Sequence, residues 1–191
     1  MPADSPLPSP RKEFLAEIEA MLNEPLELHC IGGFVLTFFY GFPRSTGDLD
    51  YYTAVPANLN LMEVAGEGSP LHKKYGLCLH KVAVTTLPED YESRLTEMAP
   101  KQFKHLRLLV PDPYDCILSK IERNGDVDVN DAEYLFRSQK LDAKVLEARY
   151  EKEFGPISSA ICPGPIRHRS CGSKSSQPSS QSLRKERTGQ F

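Results

Sequence analysis

Residues 31–52 read IGGFVLTFFYGFPRSTGDLDYY, and two aspartates, Asp48 and Asp50, stand on either side of Leu49 near the end of that stretch. Aspartate is disfavoured in strands, and strand residues two apart point to the same face. Two carboxylates side by side repel unless a cation lies between them, so the pair reads as a ligand set for a divalent metal. Upstream, the alternating stretch 26–31 leads into Gly32 and Gly33. A helix starting there would offer free backbone N–H groups to an anion, and glycines let a phosphate come close. A hairpin carrying Arg44 and Thr46 then brings the acidic strand alongside. Carboxylates next to a phosphate cradle can share Mg2+ with a triphosphate, which is what in-line phosphoryl or nucleotidyl transfer requires.

The rest of the chain must hold those residues in place. Residues 10–23 carry apolar side chains at Phe14, Leu15, Ile18, Met21 and Leu22, a helical spacing that Pro25 ends. The run 34–41 suits a strand by composition and a two-turn buried helix by its length and its stop at Gly41 and Pro43. Strands are expected at 49–55, 78–87 and 105–111, and a short helix with a loop at 58–68. A proline followed by acids at 88–98 predicts a helix start, while 72–75 reads as a solvated loop. Two helices separated by Gly125, and a third at 142–154, complete an α+β unit: a mixed sheet flanked by helices, with a helical C-terminal part.

Hydrophobic residues make up 40% of the 191, enough for a single core, and no apolar run approaches the roughly 20 residues that span a bilayer. The first residues lack the order of a signal peptide, so a cytoplasmic protein is expected. Residues 1–10 read as a disordered lead, 11–154 as the domain, with its second, helical block from about 113, and 155–191 as a disordered, basic, Ser/Pro-rich tail. From Gly155 onward six Lys and Arg face one acid, Glu186; the 17 basic and 25 acidic residues before it leave that part at -8. The tail's RKER at 184–187 reads as a solvated charge cluster. Five scattered cysteines form no CxxC pair, which argues against a zinc knuckle, and the five histidines show no ligand spacing on one helix.

The glycine pair, the Arg-x-Thr and the Asp-x-Asp together resemble the signature of the DNA polymerase β-like nucleotidyltransferase superfamily. The form with Arg-x-Thr before the acids is similar to AbiEii-like and minimal nucleotidyltransferases of bacterial toxin–antitoxin systems, and to an uncharacterised bacterial nucleotidyltransferase-like family. The stretch VPDPYDCILSKIERNGDVDVNDAEYL resembles that group's second block, a lysine-bearing helix followed by Arg and Asp-x-x-Asp. The resemblance covers about 26–154. It implies that Gly32 and Gly33 hold the triphosphate, that Asp48 and Asp50 ligate Mg2+, and that Arg44 and Thr46 contact phosphate or shape the hairpin. It also implies that Lys120 reaches a phosphate from the second block with Arg123 nearby, and that Asp128 and Asp131 either serve the site or pin the helices together. An NTP is the implied substrate, with RNA, tRNA or a protein hydroxyl as acceptor and an antitoxin protein as partner.

One departure stands out. Many members of the superfamily carry a third carboxylate on a later strand as general base, and the strands expected at 78–87 and 105–111 contain no acid. Glu89, Asp90 and Asp112 lie just beyond their ends as substitutes. The alternative to an enzyme is therefore a catalytically weak or inactive nucleotide-binding protein of the same fold. Taken singly, Asp-x-Asp also reads as a solvated turn, Gly-Gly as a simple bend, and Lys120 as one more solvated helix lysine.

Overall fold

The computed structural model of the chain describes residues 5–57, 60–83, 85–123 and 125–155. These form a five-stranded mixed sheet with helices packed on it. β1 (Leu26–Cys30) lies at its centre, antiparallel to β2 (Asp48–Val55) and parallel to β5 (Leu106–Val110). β2 pairs in parallel with β3 (Cys78–Lys81), and the short β4 (Thr96–Met98) runs antiparallel to β5, giving the order β3-β2-β1-β5-β4.

Alternation decides the faces. Leu26 and Leu28 of β1 pair with Leu106 and Leu108 of β5, and Leu49 of β2 with Leu79 of β3. All six are buried in one core with Phe14, Leu15 and Ile18 of α1 (Arg11–Ala20) and Phe34, Val35 and Leu36 of α2 (Gly32–Phe38). The residues between them in β2 and β3 therefore face the other way. A register shift between His29 and Cys30 places Cys30 opposite Tyr51. Just beyond it, the Ile31 N–H donates to the Asp50 carbonyl at 2.9 Å, which holds the start of α2 beside the acidic strand.

The ambiguous run after the glycine pair is helical. Gly32 at φ +70° turns the chain out of β1, a left-handed conformation open to glycine. Other expectations differ from the structure, beginning with the strand expected at 78–87, which ends at Lys81. Residues 72–75 are part of α4 (Pro70–Tyr75), with the Ser69 hydroxyl accepting from the His72 N–H, Pro70 in the first turn and Gly76 as a left-handed cap. Residues 88–98 are not one helix. A single 3-10 turn at Tyr91–Arg94 is followed by β4, because pairing with the buried β5 outweighs a local helix signal over so short a stretch. α3 (Leu61–Ala65) lies within the expected 58–68.

The second block is three helices: α5 (Pro113–Arg123), α6 (Asp126–Ser138) and α7 (Ala143–Phe154). Asp115, wholly buried in α5, accepts both arms of Arg94 at 2.8 and 3.0 Å and an Arg149 contact at 3.3 Å, tying the 3-10 turn and α7 to α5. Ahead of α1, residues 5–10 are ordered against the domain rather than a free lead: Leu7 is buried and its N–H donates to Gln102 Oε1 at 3.0 Å. The tail expected from 155 lies, past Gly155, outside the described residues.

The end of α1 is fastened to the sheet by one carboxylate. Glu19 accepts the backbone N–H groups of Lys104, His105 and Leu106 at 2.8, 2.8 and 2.6 Å. Burial pulls its pKa up, but the three donors together outweigh that and leave it below its ordinary value. The ionised form is thus favoured by folding, a stabilisation present above the unfolded pKa of about 4.3 and lost as pH falls through the folded value. Glu19→Gln should cost about 1–3 kcal/mol at neutral pH. Thermal melts of the two proteins should converge as pH drops below about 4.

Candidate functional site

Asp48 and Asp50 lie on the face of β2 turned away from the helix-covered core. β3 supplies their neighbours in register: Cys78 opposite Asp48 and His80 opposite Asp50. The Cys78 thiol donates to Asp48 Oδ1 at 3.3 Å. Burial, and then that carboxylate, push its pKa up to about 11, so it remains a donor at neutral pH. His80 Nδ1 lies 3.0 Å from Asp50 Oδ1. Each acid is held by the residue beside it on the next strand. Neither Cys78 nor His80 was marked by the sequence, because pairing between strands nearly 30 residues apart cannot be read from local spacing.

The two glycines admit close neighbours. A Cβ on Gly32 would collide with Asp50 Oδ2, and one on Gly33 would stand 2.6 Å from Arg44 Nη2 and 3.3 Å from Thr46 Oγ1. The Arg-x-Thr segment is a loop between α2 and β2 rather than the expected hairpin, and the glycine pair lets it and the acidic strand press against the start of α2. The Thr46 hydroxyl donates to the Asp48 carbonyl at 3.2 Å, and its own carbonyl accepts from Arg11, which fixes the loop entering β2.

A cleft of about 170 Å3 opens here, lined by Gly32, Gly33, Arg44, Asp50, Lys120 and Asp131, with His80 and Ser119 also on its wall. Residues from both sequence blocks therefore meet in one place. Thr46, Asp48 and Asp128 do not line it, although Asp48 shares its strand face with Asp50. The Arg123 side chain lies outside the described residues.

Lys120, expected to reach a phosphate, lines this cleft together with Gly32 and Gly33, and its ammonium is engaged there by carboxylates of α6. Its ammonium donates to Asp131 Oδ2 at 2.7 Å and to Asp128 Oδ1 at 3.3 Å, and only 6% of its side chain is exposed. Asp131 also accepts from Arg44 Nη1 at 3.1 Å. A lysine on a half-apolar helix could face either way; the two buried carboxylates of α6 decide it.

Of the three proposed stand-ins for a third carboxylate, Asp90 and Asp112 have their carboxylates engaged elsewhere. Asp90 pairs with Arg94 at 2.6 Å, and its pKa is lowered to about 2, chiefly by that hydrogen bond. Asp112 accepts the Asp115 N–H at 2.8 Å and pairs with Arg149 at 2.7 Å, while the Glu89 N–H donates to Glu153. None of the three lines the cleft. Among the described residues no three His, Cys, Asp or Glu side chains are grouped to hold a metal by themselves. Mg2+, however, is commonly bound by one or two carboxylates and completed by substrate phosphates and water, and Asp48 with Asp50 fits that need.

The sheet, the glycine turn and the paired acids define a nucleotidyltransferase-like domain. The chain belongs to the family described as nucleotidyltransferase of unknown function (DUF6036), whose model matches residues 12–160 and so takes in α1 as well as both blocks. Comparison with curated proteins and with solved structures gave no match.

Gly32→Ala should destabilise the protein by about 1–3 kcal/mol, since a left-handed backbone and a collision with Asp50 act together. Gly33→Ala, whose obstacle is the end of a flexible arginine, should cost less. Urea denaturation of both variants checks the order.

Proposed function

We propose that this protein is a Mg2+-dependent nucleotidyltransferase that moves a nucleotide from an NTP to a hydroxyl of RNA, a tRNA end included, or of a protein. The observation that carries this reading is Asp50, on the acidic strand face, sharing one cleft with Gly32, Gly33 and Arg44. In the reaction the acceptor oxygen attacks the α-phosphorus as the bond to the β-phosphoryl oxygen breaks. Pyrophosphate leaves with the negative charge, and the hydroxyl proton passes to solvent or a base. Asp48 and Asp50 would hold the metal, which supplies charge neutralisation and activates the attacking oxygen. His80 and Cys78 orient the two carboxylates for that task, and Arg44 brings positive charge to the cleft wall.

The similarity of the Gly-Gly, Arg-x-Thr and Asp-x-Asp block to AbiEii-like and minimal nucleotidyltransferases supports a finer reading: a bacterial cytoplasmic toxin held in check by an antitoxin protein. No helix among the described residues is long and apolar enough to cross a membrane, in keeping with that setting. A second reading, a nucleotide-binding protein without turnover, is favoured by one observation: Glu89, Asp90 and Asp112 all stand outside the cleft.

Incubation with each α-labelled NTP, Mg2+ and total RNA or cell protein separates the two, since only the enzyme leaves label on an acceptor. Asp48→Asn should abolish Mg·NTP binding in calorimetric titration while leaving the metal-free protein as stable as wild type or more so, because it relieves repulsion between like charges on one strand face. A sharp fall in melting temperature with nucleotide binding intact would make the acidic pair structural.

A further inference from the structure

Arg44 and Lys120 both line the cleft, yet their charges are placed differently. Lys120 is buried with Asp128 and Asp131, and all three side chains are 6% exposed or less. A lysine enclosed by two carboxylates is a counter-ion: its charge is consumed locally, and removing it would leave uncompensated buried anions. Arg44 has 34% of its side chain exposed. Its Nη1 reaches Asp131 Oδ1 and Oδ2 at 3.1 and 3.4 Å, while Nη2 lies over Gly33. One arm of the planar fork is thus gripped from behind, and the other is presented at the glycine turn whose companion, Gly32, touches Asp50.

We propose that Arg44 is the cation that receives the substrate's phosphates, and that Asp131, itself locked by Lys120, is the positioning residue that aims it. The inference rests on the nucleotide reading above and divides the labour between the two cations. The cluster of Arg44, Lys120, Asp128 and Asp131 carries no net formal charge. Lys120 is what allows Asp131 to hold the guanidinium without presenting surplus negative charge to an incoming phosphate. Gly33 belongs to the same device, because any side chain there would occupy the space of Nη2.

The test uses the full chain, titrated calorimetrically with Mg·ATP and with Mg·tripolyphosphate, and melting curves on the same samples. Arg44→Gln should weaken both probes by about 10–150-fold, the equivalent of one charge-assisted hydrogen bond, and should lower the melting temperature by less than Lys120→Met does, since Arg44 is the more exposed of the two cations. Arg44→Lys should rescue only part of the loss, since a single ammonium cannot serve Asp131 and a phosphate in the geometry of a fork. Asp131→Asn should weaken both probes less than Arg44→Gln does, and the double variant should bind no worse than Arg44→Gln alone, the non-additivity of residues acting through one another. Lys120→Met should lower the melting temperature or fail to fold, and the Arg44 and Asp131 variants then decide the matter. Three results would overturn the proposal: Arg44→Gln binding like wild type, Asp131→Asn and Arg44→Gln losses that add fully, or Lys120→Met that loses binding at unchanged stability. Wild-type protein that binds neither probe would overturn the nucleotide reading itself, and this inference with it.

Discussion

The carboxylate of Asp131 joins two consecutive helices to a segment 87 residues away in sequence. It sits on α6, accepts from Lys120 on α5 and from Arg44 in the loop that enters the acidic strand. A buried carboxylate without such partners is strongly disfavoured, so the cations and the anion require one another. That loop is secured to α6 twice more: the Tyr134 hydroxyl donates to the Gly41 carbonyl at 2.7 Å, and the Phe42 and Tyr134 rings lie 4.4 Å apart. The helical block is therefore no appendage to the sheet, because without it the segment leading into Asp48 and Asp50 would lose its anchor.

The sheet contributes the complementary constraint. Asp50 is set by three contacts of different kinds: its carbonyl accepts from Ile31, its Oδ1 meets His80, and its Oδ2 fills the space a glycine leaves open. Asp48 is held by Cys78 and by the turn at Thr46. Such preorganisation keeps two like charges on one face at fixed positions without requiring them to gather around an ion in advance. That suits a metal that arrives with the phosphates of its substrate.

How much of this was legible in the sequence depended on distance along the chain. The acids at alternate positions, the glycine pair and the helical spacing of α1 are local patterns, and local patterns survive in the fold. The same locality misled at 88–98, where proline and acids signal a helix start while the decisive partner, β5, lies beyond the window. His80 and Cys78 were invisible as site residues because only the parallel register of β3 on β2 brings them to the acids. The roles of Lys120 and Asp131 were left open for a related reason. A half-apolar helix does not reveal which face it turns to a cleft, and the answer came from carboxylates on the next helix. The third acid was sought beyond the strand ends, where the structure uses Asp90 and Asp112 to fasten Arg94 and Arg149 instead.

The central claim is that the acidic face of β2, beside the glycine turn, receives a divalent cation together with a nucleotide. The most direct measurement is a crystal structure of the full chain grown with Mn2+ and a non-hydrolysable ATP analogue, with anomalous scattering recorded to locate the metal. The account predicts a manganese peak ligated by Asp48 and Asp50, with the triphosphate running past Gly32 and Gly33 to Arg44. Manganese bound elsewhere, or a triphosphate seated away from these acids, would contradict it.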